Sequence, residues 1–215
     1  MVSEKDDILK TGTTTIGIVC KDGIVLAADK RTTAGNLIVS GKTNKIVQIN
    51  EYSALTTAGT VSDSQLIIKI LKAELKLKEL RTGRKPSLKE IANLCGGLIY
   101  NNIRKMSMIP GISHFVLGGN DNTGFYLYDL FADGSITEID EFVASGSGSV
   151  FALGVLETLY NKDIAVDDAV ALAVKAVNAA LQRDTASGNG IDVVTITKDG
   201  VQRIMEQKLD TKLKV

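Results

Sequence analysis

Two strand patterns lie close together near the start of the chain, and each is apolar or small on both faces. Thr14-Thr15-Ile16-Gly17-Ile18-Val19-Cys20 and Ile24-Val25-Leu26-Ala27-Ala28-Asp29 flank Lys21-Asp22-Gly23. Turn residues between two such runs signal a β-hairpin. A strand without a polar face needs cover on both sides, so this hairpin belongs in the middle of a layered structure.

The rest of the chain supplies those layers. Ile46–Ile49 and Ser53–Thr57 continue as strands. Two helices follow. Ser62-Asp63-Ser64-Gln65 matches a capping box, and Leu66, Ile70, Ala73, Leu77 and Leu80 recur behind it at spacings of four and three. Pro86-Ser87-Leu88-Lys89-Glu90 opens the second helix, with Ile91, Leu94, Cys95, Leu98 and Ile103 as its apolar face. Strands return at His114–Gly118, Gly124–Phe131, Ser135–Thr137 and Phe142–Ala144. Helices follow over about 148–160 and 167–184, the second with Val170, Val174, Val177 and Leu181 along one side. A hairpin of Ile191–Thr197 and Val201–Met205 turns at Asp199-Gly200. Strands, two helices, strands, two helices, strands is the order of an α+β chain. Two antiparallel sheets with a helix pair on each outer face would bury every stripe. No linker interrupts the series, so a single domain is expected, with a charged tail from Glu206.

Composition excludes several functions. Lys and Arg number 25, Asp and Glu also 25, so no charge excess points to nucleic acid or an acidic membrane surface. No apolar run approaches the ~20 residues of a membrane-spanning helix, and the polar Met1–Asp7 start is not a secretory signal. Cys20 and Cys95 lie far apart in apolar surroundings and read as buried free thiols in a reducing compartment. His114 is the only histidine, which weakens any Ser-His-Asp or Cys-His scheme. No His/Cys cluster has zinc spacing, and no metal or cofactor is expected.

The chemistry must come from other residues. Gly12-Thr13-Thr14-Thr15 precedes the first strand. Such a run ordinarily just turns and extends the chain. If Thr13 were the N-terminus, however, its own α-amine, with a pKa of about 7.7–8.0, could take the proton of its hydroxyl. Residues 1–12 would then be a propeptide whose removal activates the protein. Asp29 and Lys45 are candidates to charge that site, although a solvated strand end and an exposed lysine are their ordinary roles. The hairpin register bears on Asp29. A two-residue Asp22-Gly23 loop sets Thr13 opposite Thr32 and turns Asp29 to the other face. A three-residue Lys21-Asp22-Gly23 loop sets Thr13 opposite Arg31, with Asp29 on its face. Both strand faces are apolar, so the sequence leaves this open. Gly146-Ser147-Gly148-Ser149 and the pair Asp184 and Ser187 precede and end helices, where they could cap or could orient an amine.

These segments, together with Thr56-Thr57-Ala58-Gly59, Gly118-Gly119 and Arg183–Val193, resemble the β-type subunits of the 20S proteasome, especially archaeal ones. The resemblance runs from Gly12 to about Thr197. It implies a four-layer αββα sandwich, the N-terminal-nucleophile (Ntn) hydrolase fold, over 13–205, with 1–12 removed and 206–215 as a tail. It implies a threonine endopeptidase with Thr13 as nucleophile after cleavage of Gly12–Thr13. Asp29 and Lys45 would activate it, Ser147, Asp184 and Ser187 would complete the site, and the Gly59 amide would be an oxyanion donor. Thr32, Thr43, Val47, Thr57, Val61 and Gln65 would line the pocket for the substrate residue before the cut. Thr185 departs from the family's usual Ser but keeps a hydroxyl. The partners implied are unfolded proteins or peptides as substrates, homologous β subunits in a seven-membered ring, α-type ring subunits and a regulatory ATPase, in the cytoplasm. A non-catalytic, unprocessed ring subunit is the alternative.

Overall fold

The computed structural model describes residues 12–209. Most of the expected propeptide (1–11) and the last six residues of the expected tail (210–215) lie outside them. The elements run β1 (Thr15–Cys20), β2 (Gly23–Asp29), β3 (Thr32–Ala34), β4 (Leu37–Ser40), β5 (Ile46–Asn50), β6 (Ser53–Gly59), α1 (Val61–Thr82), α2 (Leu88–Ile103), β7 (Ser113–Asp121), β8 (Gly124–Leu130), β9 (Ile136–Ile139), β10 (Phe142–Ser145), α3 (Ser149–Leu159), α4 (Val166–Arg183), β11 (Gly190–Thr197) and β12 (Gly200–Lys208).

Two five-stranded antiparallel sheets form, ordered β10-β1-β2-β11-β12 and β5-β6-β7-β8-β9. The apolar faces sort into three layers of core. Ile16, Ile18, Val25, Ala27 and Val193 pack on α3 and α4. Ile24, Leu26, Ala28, Val116, Leu127 and Ile196 fill the space between the sheets. Leu55, Phe115, Leu117 and Leu130 pack on α1 and α2. This is the expected α+β sandwich of four layers, and β1 and β2 are covered on both sides because they lie in its middle. β12 runs three residues beyond the expected domain end. Glu206 lies within it and accepts a bond from Lys30 at 3.2 Å.

Neither hairpin register considered for β1 and β2 occurs. Cys20 pairs with Gly23, so the turn is Lys21-Asp22 and Gly23 already belongs to the strand. Contacts with distant elements decide this. Lys21 N donates to Ile164 O, and Asp22 accepts the backbone N–H of Val166 at 2.9 Å, tying the turn to the start of α4. A Cβ on Gly23 would lie 2.5 Å from Ile196 O, so β11 presses on this position too. In this register Asp29 N donates to Thr14 O, and Asp29 shares the face of Thr14 rather than that of Thr13.

Helix α1 departs from expectation twice. It starts at Val61 after Thr60, with no side-chain cap, because β6 leads directly into it; the capping box at Ser62 does not form. Its inward residues are Ser64, Ile67, Ile68, Leu71 and Leu75. The seam of Leu66, Ile70, Ala73, Leu77 and Leu80 faces outward, with Leu80 69% exposed. The helix thus carries two apolar seams, and the subunit covers one. In α4 the buried stripe is Ala169, Leu172, Ala173, Ala176, Val177 and Ala180, with Val170, Val174 and Leu181 at its margin. The capping box of α2 forms as expected, Ser87 with Glu90. The short β3–β4 hairpin was not anticipated.

Candidate active site

The site forms where β1 begins and β2 ends, beside the entry to β5. Asp29 is the last residue of β2 and fully buried. Its carboxylate accepts four bonds: from Thr14 N at 2.9 Å, Arg31 N at 2.9 Å, Gly188 N at 3.0 Å and Lys45 Nζ at 2.7 Å. Four donors compensate the cost of burying this charge. Lys45 comes from the other sheet. Its carbonyl accepts Thr57 N at 2.8 Å, which fixes its backbone against β6, and it is 3% exposed. Burial pulls its ammonium below the ordinary lysine pKa, and the Asp29 carboxylate opposes that shift. The same Nζ donates to Thr13 Oγ1 at 3.0 Å. Lys45 thus joins Asp29 and Thr13, which strand alternation puts on opposite faces. Register alone would have separated them; a long side chain from the facing sheet reconnects them.

A second group of residues holds the backbone of Thr13. Thr13 N donates to Ser147 Oγ at 3.3 Å. The hydroxyls of Ser147 and Ser187 each donate to Asp184 Oδ2 at 2.6 Å. Asp184 caps the C-terminus of α4, and Ser147 precedes α3. Gly148 N donates to Thr13 O at 3.3 Å, and Gly146, at φ 91°, leaves only 2.1 Å between a would-be Cβ and Thr13 O. Only glycine permits that approach. The five residues expected to surround Thr13 therefore converge on it, in a charged pair on one side and a hydroxyl–carboxylate set on the other.

The bond before Thr13 is also held. Thr13 Oγ1 donates to Gly12 O at 2.6 Å, and Gly12 N donates to Thr33 Oγ1 at 3.0 Å. A Cβ on Gly12 would fall 1.7 Å from Ala186 Cβ, so any larger residue would move the chain.

A small cavity, partly open to solvent, adjoins Thr13. Thr32, Thr43, Val47, Thr57, Val61 and Gln65 all line it, and so does Gly59 at φ 102°. Among the described residues Lys45 is the one charged residue in its wall. Ile68 and Ser64, from the inward seam of α1, complete it.

Several participants were not singled out from the sequence. Thr14 Oγ1 bonds Ser187 Oγ at 2.6 Å. Arg31 donates to Asn189 Oδ1 and Thr185 O, both at 2.8 Å, and so braces the turn that carries Asp184 and Ser187. Thr33 anchors Gly12. The run of threonines hinted at Thr14; Arg31 and Thr33 gave no signal beyond their place after Asp29.

Comparison with known proteins shows what the chain is similar to. Residues 9–196 match the family model described as "Proteasome subunit". A protein named "Proteasome subunit beta" from Archaeoglobus profundus is 46% identical over 211 residues, covering 98% of this chain and 96% of the relative. Like-named proteins are 46% identical in Archaeoglobus fulgidus (93% and 90% covered) and 40% identical in Methanocaldococcus jannaschii (95% and 89% covered).

Proposed function

Because this chain belongs to the proteasome subunit family, as a β-type member, we propose that it is the precursor of a threonine endopeptidase whose nucleophile is Thr13. The observation that carries the reading is the contact of Lys45 Nζ with both Thr13 Oγ1 and Asp29. A buried cation at a hydroxyl stabilises the alkoxide that forms when the proton leaves.

Maturation would come first. The Thr13 hydroxyl lies against the Gly12 carbonyl group it would attack. Its oxygen bonds to the Gly12 carbon, the Gly12–Thr13 C–N bond breaks, and the nitrogen takes a proton. Water then hydrolyses the ester, which frees the Gly12 carboxylate and restores the hydroxyl. The new amine of Thr13 sits where its amide now meets Ser147, with Asp184 behind. That amine is the base for the second reaction. It takes the hydroxyl proton as the oxygen attacks a substrate carbonyl, and passes it to the leaving amine; water then hydrolyses the acyl ester, which releases the carboxylate product and restores the hydroxyl. Lys45 stabilises the alkoxide, Asp29 keeps Lys45 charged and placed, and the Gly59 N–H would receive the oxyanion. The cavity would accept an apolar side chain before the scissile bond, since among the described residues its wall offers no carboxylate.

Family membership brings assembly with other proteasome subunits. The outward seam of α1, with Leu66, Leu77 and Leu80 uncovered, is the kind of face such assembly buries. We take the assembly to be a seven-membered β ring joined to α-type rings and fed with unfolded chains by a regulatory ATPase, in the cytoplasm. Among the described residues no helix is long and apolar enough to cross a membrane.

The test is mass spectrometry of the subunit from assembled particles, paired with peptide hydrolysis. The wild-type subunit should begin at Thr13. Thr13→Ala should keep residues 1–12 and hydrolyse nothing. An intact Gly12–Thr13 bond in assembled wild-type particles would make the chain a structural ring subunit instead.

A further inference from the structure

The chain's single histidine has no part in the chemistry above, yet it is engaged at both ring nitrogens. His114, near the start of β7, meets Ser145 Oγ through Nδ1 at 2.7 Å and Asp129 of β8 through Nε2. The ring of Phe131 stands edge-on to it, centroids 4.9 Å apart. Ser145 belongs to the other sheet. It ends β10 and lies across from Thr15 of β1. His114 therefore bridges the two sheets.

Two facts make this bridge more than packing. Ser145 is followed directly by Gly146-Ser147-Gly148, whose backbone touches Thr13 O and whose serine meets Thr13 N. Ser145 is 3% exposed, and neighbouring Thr15 Oγ1 is buried without a hydrogen-bond partner among the described residues. The Thr15 hydroxyl therefore gives Ser145 no bond, and among the described residues the imidazole is its one side-chain partner. On the other side, the residue before His114 is Ser113, which pairs with Gly59. One imidazole thus ties the strand beside Gly59 to the loop that grips Thr13.

We propose that His114 is a positioning residue: through Ser145 it sets the distance between the Gly146–Ser149 loop with Thr13 on one sheet and the Gly59 strand on the other. The catalytic value of this link rests on the function proposed above; the mechanical link does not. Asp129 orients the ring by accepting a bond from Nε2–H, which leaves Nδ1 to accept the Ser145 hydroxyl proton.

The experiment compares Ser145→Ala, His114→Phe and their combination in the full assembled protein. Ser145→Ala removes one buried hydroxyl oxygen and should fold, and His114→Phe keeps an aromatic ring beside Phe131. Amide hydrogen exchange should quicken about tenfold in 145–149 in each variant and stay unchanged in α4. With a fluorogenic peptide, kcat should fall about tenfold with KM within about twofold, as expected when a reacting group is displaced while substrate binding is left intact. The double variant should be no worse than the poorer single one, since both break one link. Asp129→Asn, which still offers an acceptor to the ring, should keep most of the wild-type kcat. Unchanged exchange at 145–149 in Ser145→Ala overturns the proposal, as does additive loss in the double variant. If the wild type itself hydrolyses nothing, the proposed function fails, and the exchange comparison still decides whether His114 holds the loop.

Discussion

Replacing Lys45 by Met keeps much of its length and removes its charge. The ammonium lies 3.0 Å from Thr13 Oγ1. At that distance, with an effective dielectric constant of about 20, a full alkoxide would gain roughly 5 kcal/mol from the cation. A transition state with the charge partly formed would gain somewhat less, so kcat should fall by about 10³–10⁴. The fold should suffer less. Asp29 loses one donor of four and keeps three backbone N–H groups, so the loss should be smaller than the ~3–5 kcal/mol typical of breaking a buried ion pair. Lys45→Arg should fail nearly as badly, because a planar guanidinium cannot occupy the place of a compact ammonium that is 3% exposed. To keep maturation out of the measurement, the variants are expressed with Met directly before Thr13, so that removal of Met exposes the threonine. The assay is turnover of a fluorogenic peptide with an apolar residue before the cut, on particles shown by size-exclusion chromatography to be assembled. Lys45→Met turning over at a tenth of the wild-type rate or better would refute the role given to this cation.

Gly12→Leu should leave the precursor uncut, because a Cβ there meets Ala186 at 1.7 Å and displaces the bond to be broken; mass spectrometry showing normal maturation would count against the geometry. Gln65→Glu places a carboxylate in the cavity wall and should shift kcat/KM about tenfold toward basic residues before the cut, read with paired peptide substrates. Burial pushes the Cys20 and Cys95 thiols up to about 12, so both stay protonated at pH 8. Alkylation followed by mass spectrometry should label neither until the protein is unfolded.

Much of the architecture was legible because it is written locally. The paired apolar strands, the two helix pairs and the Ser87–Glu90 cap follow from periodicity and capping chemistry, which a segment carries wherever it is placed. Gly12, Thr13, Asp29, Lys45, Ser147, Asp184 and Ser187 could be named as a set only through their order along the chain, as a resemblance; nothing local distinguishes Lys45 from a surface lysine. The β3–β4 hairpin was missed because its residues Leu37, Ile38 and Val39 are apolar yet exposed, so no buried stripe marks it.

Tertiary structure decided three matters. It chose the Lys21-Asp22 turn, since strands apolar on both faces tolerate several registers, and Val166 N on Asp22 selects one. It chose the inward seam of α1, because two apolar seams are equivalent until a sheet covers one of them. It brought Lys45 across from the second sheet to join Asp29 and Thr13, which their own strands hold on opposite faces. By itself the sequence determined which elements form and which side chains could do chemistry, because propensity and periodicity belong to each segment alone. Register, facing and convergence belong to pairs of segments, and only packing one against another sets them.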